Sequence, residues 1–161
     1  MKTQRSLILA TLATVAAATA CAKPAVTMNP GAVDISRRWN ASLVTPANLT
    51  GALQIKGTAY MAPGRDTLHP ATTAGVQISN AAPKGVHPWR VHRGQCGSDQ
   101  GVVGTEDIYK NLVVKDDGTA SQTATLPMPM PTSGEFFAAV HAAPTNMDVV
   151  VACGNLAPPT Q

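Results

Sequence analysis

His87 and His92 lie in the segment Gly85-Val-His-Pro-Trp-Arg-Val-His-Arg-Gly-Gln-Cys-Gly97, with Trp89, Arg90 and Cys96 between and after them. Half of the chain's four histidines and one of its three cysteines fall in this stretch. Imidazole nitrogen and thiolate sulfur are the donors that borderline and soft metal ions take, so the concentration points to a metal site or to what is left of one. On an extended strand alternate side chains share a face. His87, Trp89 and Val91 would then point one way, and Arg90 and His92 the other. Pro88 restricts the segment to an edge or a strand start. Trp89 and Val91 read as the buried side, which sends Arg90 and His92 outward together.

Other residues with chemical potential are scattered. His141 follows Val140. His69, in Thr67-Leu-His-Pro70, reads as a loop histidine. Met128 and Met130 form a Met-x-Met pair of the kind copper(I) favours, but the prolines around them also fit a rigid connector. Asp99, Glu106 and Asp107 could serve a hard cation, and equally fit a solvated loop. Asn40-Ala-Ser and Asn48-Leu-Thr are glycosylation sequons only in a eukaryotic secretory setting.

The elements that must position these residues read as strands. Trp39, Ala41 and Leu43 alternate with polar neighbours, as do Leu53 and Ile55, and Val76 and Ile78, while Phe136, Ala138 and Val140 alternate with Glu135, Phe137, Ala139 and His141. Leu112 and Val114 lead into Asp116-Asp117-Gly118, a hairpin signal because Asp-Gly accepts the positive φ of such turns. Thr119 to Leu126 is the expected return strand, and Val149 to Cys153 a final one. No window of the mature chain sustains a 3.6-residue period, and thirteen prolines and thirteen glycines punctuate it. The expected fold is all-β, a sandwich or Greek-key barrel.

The N-terminus reads as an export signal. Lys2 and Arg5 precede the apolar run Leu7 to Ala18, and small residues lead to Cys21. The expected organisation is a signal peptide over 1–20, a Pro- and Gly-broken tether over 21–34 and one domain over 35–161. Cys21 stands where bacterial lipoproteins carry their lipidated cysteine, although Ala18 replaces the usual leucine. Simple cleavage before Cys21 is the alternative. Without residues 1–20 the chain keeps ten basic and nine acidic side chains, a net charge of +1. With no basic cluster to track a phosphate backbone, nucleic-acid binding is not expected. Membrane attachment is expected only through a lipid on Cys21. No feature names a protein partner. If Cys21 carries lipid, Cys96 and Cys153 remain as an even pair in an oxidising compartment. They could be bridged, or be two buried free thiols.

Gly85-Val-His-Pro-Trp-Arg-Val-His-Arg-Gly94 with Cys96, then Asp117-Gly-x-Ala120, Val140-His141 and Ala152-Cys-Gly154, resembles copper/zinc superoxide dismutases. That family carries Gly-x-His-Gly-Phe-His-Val-His, a nearby cysteine, a later Val-His and a terminal Ala-Cys-Gly in the same order. The resemblance covers roughly residues 50 to 157. It implies an eight-stranded Greek-key barrel with Cys96 bonded to Cys153. It also implies copper ligands at positions 90, 92 and 141, with His87 in a structural place.

Arg90 departs from the pattern, because a guanidinium stays protonated and offers copper no lone pair. The loop that should hold the zinc and bridging histidines shrinks here to Gly97–Ile108 and contains none. Val150 stands at the place of the family's substrate-guiding arginine. The resemblance therefore implies a lost zinc site and an incomplete copper site. His92 and His141 remain, with His87 or a methionine available to complete the set. The expected protein is an exported domain, periplasmic or anchored to the outer membrane, non-catalytic or weakly metal-binding. Copper binding and copper-only dismutation are the alternatives. Without metal, His92 and His141 would form a hydrogen-bonded pair, with Arg90 filling the space of the ion.

Overall fold

A computed structural model describes residues 37–49, 54–65 and 68–159, all within the unit Gly31–Gln161. The expected leader, the tether and Cys21 lie outside the described residues. The strands are β1 (Trp39–Val44), β2 (Lys56–Pro63), β3 (Thr72–Ser79), β4 (Val86–His87), β5 (Trp89–Gln95), β6 (Ser98–Val102), β7 (Leu112–Val113), β8 (Ala120–Leu126), β9 (Phe136–Ala143) and β10 (Asn146–Leu156). Eight of them form one antiparallel sheet in the order β6-β5-β9-β10-β1-β2-β3-β8, strongly curled into a half-barrel. The pairings β5–β9, β10–β1 and β3–β8 join strands distant in sequence, as Greek-key connections do. There is no α-helix among the described residues. The all-β expectation holds.

Alternation explains which side of the sheet faces the core. Trp39, Ala41 and Leu43 of β1 are buried while Asn40, Ser42 and Val44 are exposed. Phe136, Ala138 and Val140 of β9 join Trp89 and Val91 of β5, Ala152 and Leu156 of β10, and Met61, Ile78 and Leu126 in one apolar cluster. Each large aliphatic side chain buried there contributes roughly 1.5–3 kcal/mol. Trp39 meets Phe136 edge-on, with centroids 5.8 Å apart. Met130 is buried in this core and Met128 packs against it, so the Met-x-Met pair is engaged in packing. His69 is exposed on the connection between β2 and β3.

Three sequence expectations need correction. The Asp116–Gly118 turn forms, with Gly118 at φ +78° and the Lys115 amide donating to Thr119. Its flanking strands nevertheless part: β7 pairs with β4, and β8 with β3. Gly85 draws Val114 toward β4 by accepting its amide proton, and Val114 in turn accepts from Lys84. Secondly, β2 runs over Lys56–Pro63, so Ile55 stands just before it, and Leu53 lies outside the described residues. Thirdly, the shortened loop after Cys96 contains strand β6. Gly94, at φ +95°, makes the register shift that turns β5 back into β6, and any Cβ there would strike the Ser98 carbonyl. Glycine is the residue such a bulge requires.

Cys96 and Cys153 form a disulfide, their Cα atoms 6.1 Å apart. It runs from the β5–β6 turn to β10, with β9 between them in the sheet. A second tie runs beside it, the Cys96 amide donating to Asn155 Oδ1 at 2.8 Å. Such a bond is at home in an oxidising, extracytoplasmic compartment.

Candidate functional site

β9 is buried on both faces, which its neighbours are not. Its inward residues belong to the core. Its outward residues Phe137, Ala139 and His141 line a cleft of about 990 Å³. His92 of β5 lines the same cleft, and the Cys96–Cys153 bridge lines it too. The outward face of Arg90 and His92 is thus the one expected from the strand period, with Trp89 and Val91 inside.

His92 is 4% exposed and His141 6%. Their ring centroids stand 6.0 Å apart, with the planes inclined by 46°. His92 stacks on Phe137 at 4.9 Å, with 21° between the rings. Its Nδ1 lies 3.0 Å from Asp99 Oδ1. His141 Nδ1 donates to the main-chain oxygen of Met147. A carboxylate and a carbonyl only accept, so in each neutral ring the proton resides on Nδ1 and the lone pair on Nε2. Both Nε2 atoms are buried without a hydrogen-bond partner.

The two imidazoles are therefore not hydrogen-bonded to each other. A fixed Nδ1–H and an open Nε2 is the arrangement seen in histidines that serve metals. Copper fits this donor set in part, since two nitrogen lone pairs are available and copper(II) wants three or four donors. Segment 97–108 adds no imidazole to this set, and its Asp99 and Glu106 are engaged by His92 and Arg90. Among the described residues no group of three or more His, Cys, Asp or Glu is placed to hold a metal.

Arg90 does not fill the space between the rings. Its Nη1 donates to Glu106 Oε1 at 2.8 Å, and it does not line the cleft. With Glu106 largely exposed, that pair contributes no more than about 1 kcal/mol. His87 is held elsewhere: its Nδ1 donates to the main-chain oxygen of His141 at 3.0 Å, its Nε2 is likewise buried without a partner, and it is not among the cleft residues. His87 thus buttresses the strand that carries His141. Val150 lines the cleft opposite His141 in register.

Asp99 and Glu106 had no assigned partners at the level of sequence, where they fitted a solvated loop. The structure gives both to outward residues of β5. The signal that could have found them is Gly94 and Gly97, which turn the chain back on itself and bring the acids against the strand. Burial works against ionisation of Asp99, but the Gly101 amide and the His92 ring outweigh it and hold its carboxyl below the usual range.

Burial also holds the His141 ring below its ordinary range, reinforced by His92 and Arg90 and opposed by Met147 and Asp99. A histidine depressed in the folded state leaves the unfolded state with more bound protons in acid. Its contribution to stability is complete above 6.5 and lost as pH falls from 6.5 toward the lower folded value. Each unit of depression is worth about 1.4 kcal/mol. The urea midpoint should therefore fall as pH is lowered from 7 to 5, and His141→Gln should flatten that fall. Equal slopes for the two proteins would show that His141 does not set it.

No family model matches this chain, and no curated protein does. The assignment of chemistry rests on the residues and their geometry.

Proposed function

We propose that this chain is an exported barrel domain of the copper/zinc superoxide dismutase kind, reduced to a two-imidazole metal-binding module. Its strand order, its single disulfide and the placing of His92 and His141 on the outward face support the kinship. One observation carries the function: in one cleft, two buried Nε2 lone pairs stand without partners, in rings whose Nδ1 protons are already donated. Leaving such acceptors unsatisfied costs the fold roughly 1–3 kcal/mol each, which a bound cation would recover.

Copper binds weakly under this reading, because two donors fall short of what copper(II) prefers. Efficient dismutation is not part of it, with Arg90 at a ligand position and Val150 where a guiding cation would stand. The site belongs outside the cytosol, periplasmic or, with Cys21 lipidated, at the outer membrane.

Copper titration of the whole protein against a competing chelator tests this. One equivalent should bind, and His92→Ala combined with His141→Ala should abolish uptake. Uptake that survives the double replacement would overturn the assignment.

A further inference from the structure

Met147 lines the same cleft as His92 and His141. It sits at the start of β10, and its carbonyl fixes the His141 ring. The two are therefore held together whatever else moves. Met147 also differs from the other methionines among the described residues. Met61 and Met130 are buried in the core and Met128 packs on it, whereas Met147 is half-buried and outside that cluster. A methionine spent on packing would lie inside; this one stands at the wall of the cleft, beside the ring that its carbonyl holds.

We propose that Met147 completes a two-imidazole, one-thioether site that selects soft monovalent cations, copper(I) and silver(I), over divalent ones. The proposal rests on the reading of His92 and His141 as ligands and adds the third donor and the selectivity. One physical argument sets that preference: thioether sulfur is a soft donor that suits copper(I) and offers little to zinc or copper(II). Asp99 and Asp148 also line the cleft, the first engaged by the His92 ring and the second an exposed, hydrated carboxylate.

Silver(I) is the probe, since it is soft, monovalent and does not change oxidation state here. The whole protein, labelled with ¹³C at its methionine methyl groups, is titrated with silver and followed by NMR. The Met147 methyl signal should shift and saturate at one equivalent, while those of Met61 and Met130 stay in place. Met147→Leu should weaken silver binding by at least about tenfold, the lower end of what disturbing a ligand's surroundings costs. The same change should leave the weak copper(II) affinity unaltered.

Each other outcome is decisive. If the Met147 methyl does not move although His92→Ala with His141→Ala abolishes silver binding, Met147 is not a ligand and the two-histidine site stands alone. If the double histidine replacement leaves silver binding intact, both the third donor and the site fail. Zinc bound as tightly as silver would overturn the selectivity. The methyl signal is read in the unaltered protein, so the test survives a Met147→Leu variant that folds poorly.

Discussion

Replacing Cys96 and Cys153 together by alanine should lower the free energy of unfolding by about 4 kcal/mol. The bond closes a loop of 57 residues by sequence separation, and the chain-entropy cost of leaving it open in the unfolded state sets that figure. Against a typical total of about 5–15 kcal/mol the loss is large. The local consequence is as informative as the global one. The bond ties the β5–β6 turn to β10, and β6 carries Asp99, which holds the His92 ring. Its removal should therefore weaken the proposed metal uptake more than an equally destabilising change in the core does. Urea unfolding under non-reducing conditions, beside copper titration at a urea-free stability reserve, checks both parts. A loss under about 1 kcal/mol would mean that the bond constrains nothing the sheet does not already constrain.

Trp89→Ala is the second large effect, expected to cost about 3–5 kcal/mol. Trp89 is 1% exposed and stands on the inward face of β5. Its Nε1 donates to the Lys110 carbonyl at 3.0 Å, and its ring meets Tyr109 edge-on with centroids 5.2 Å apart. Truncation opens a cavity, strands that carbonyl and removes the ring against which Tyr109 packs. Tyr109 is itself tightly placed. Its hydroxyl donates to Val103 at 2.6 Å, and burial pushes its pKa up to about 12, against the pull of Val91 and Arg90. Trp89→Phe keeps an aromatic ring and loses the indole donor, so it should recover a good part of the loss. Denaturation followed by far-ultraviolet circular dichroism discriminates the two, and equal stabilities for the alanine and phenylalanine variants would refute the packing account.

What could be read in the sequence depended on whether the signal was local. Alternation in Trp39-Ala41-Leu43 is a property of a single strand, and the structure follows it, whereas Phe136 to His141 of β9 are buried on both faces. The Asp-Gly turn is local too, and it forms. Which strands pair across it is not local. β7 and β8 separate because each finds a partner elsewhere, and no feature of the turn announces that. β6 was hidden for another reason: Ser98-Asp-Gln-Gly-Val102 is almost wholly exposed, so no apolar period marks it.

The site followed the same division. The outward pointing of His92 was legible from the strand period around Trp89 and Val91. The fixing of its ring by Asp99 was not, because a carboxylate in a polar loop looks the same whether it meets water or an imidazole. The place of Met147 was equally illegible, since it depends on the irregular register between β9 and β10.

β1 lies between β2 and β10, and Asn40 exchanges main-chain hydrogen bonds with Ala157. The first strand of the sheet thus waits for the last. Contacts of such long sequence separation are entropically late and slow a fold's formation. A nascent chain cannot close this sheet until nearly all of the domain has emerged. The cleft inherits that timing, because His141 is oriented by Met147 and the β5–β6 turn is tied down by Cys153, both on β10. The imidazole pair is therefore assembled in the final act of folding, and a chain truncated before β10 should own both histidines without owning the site.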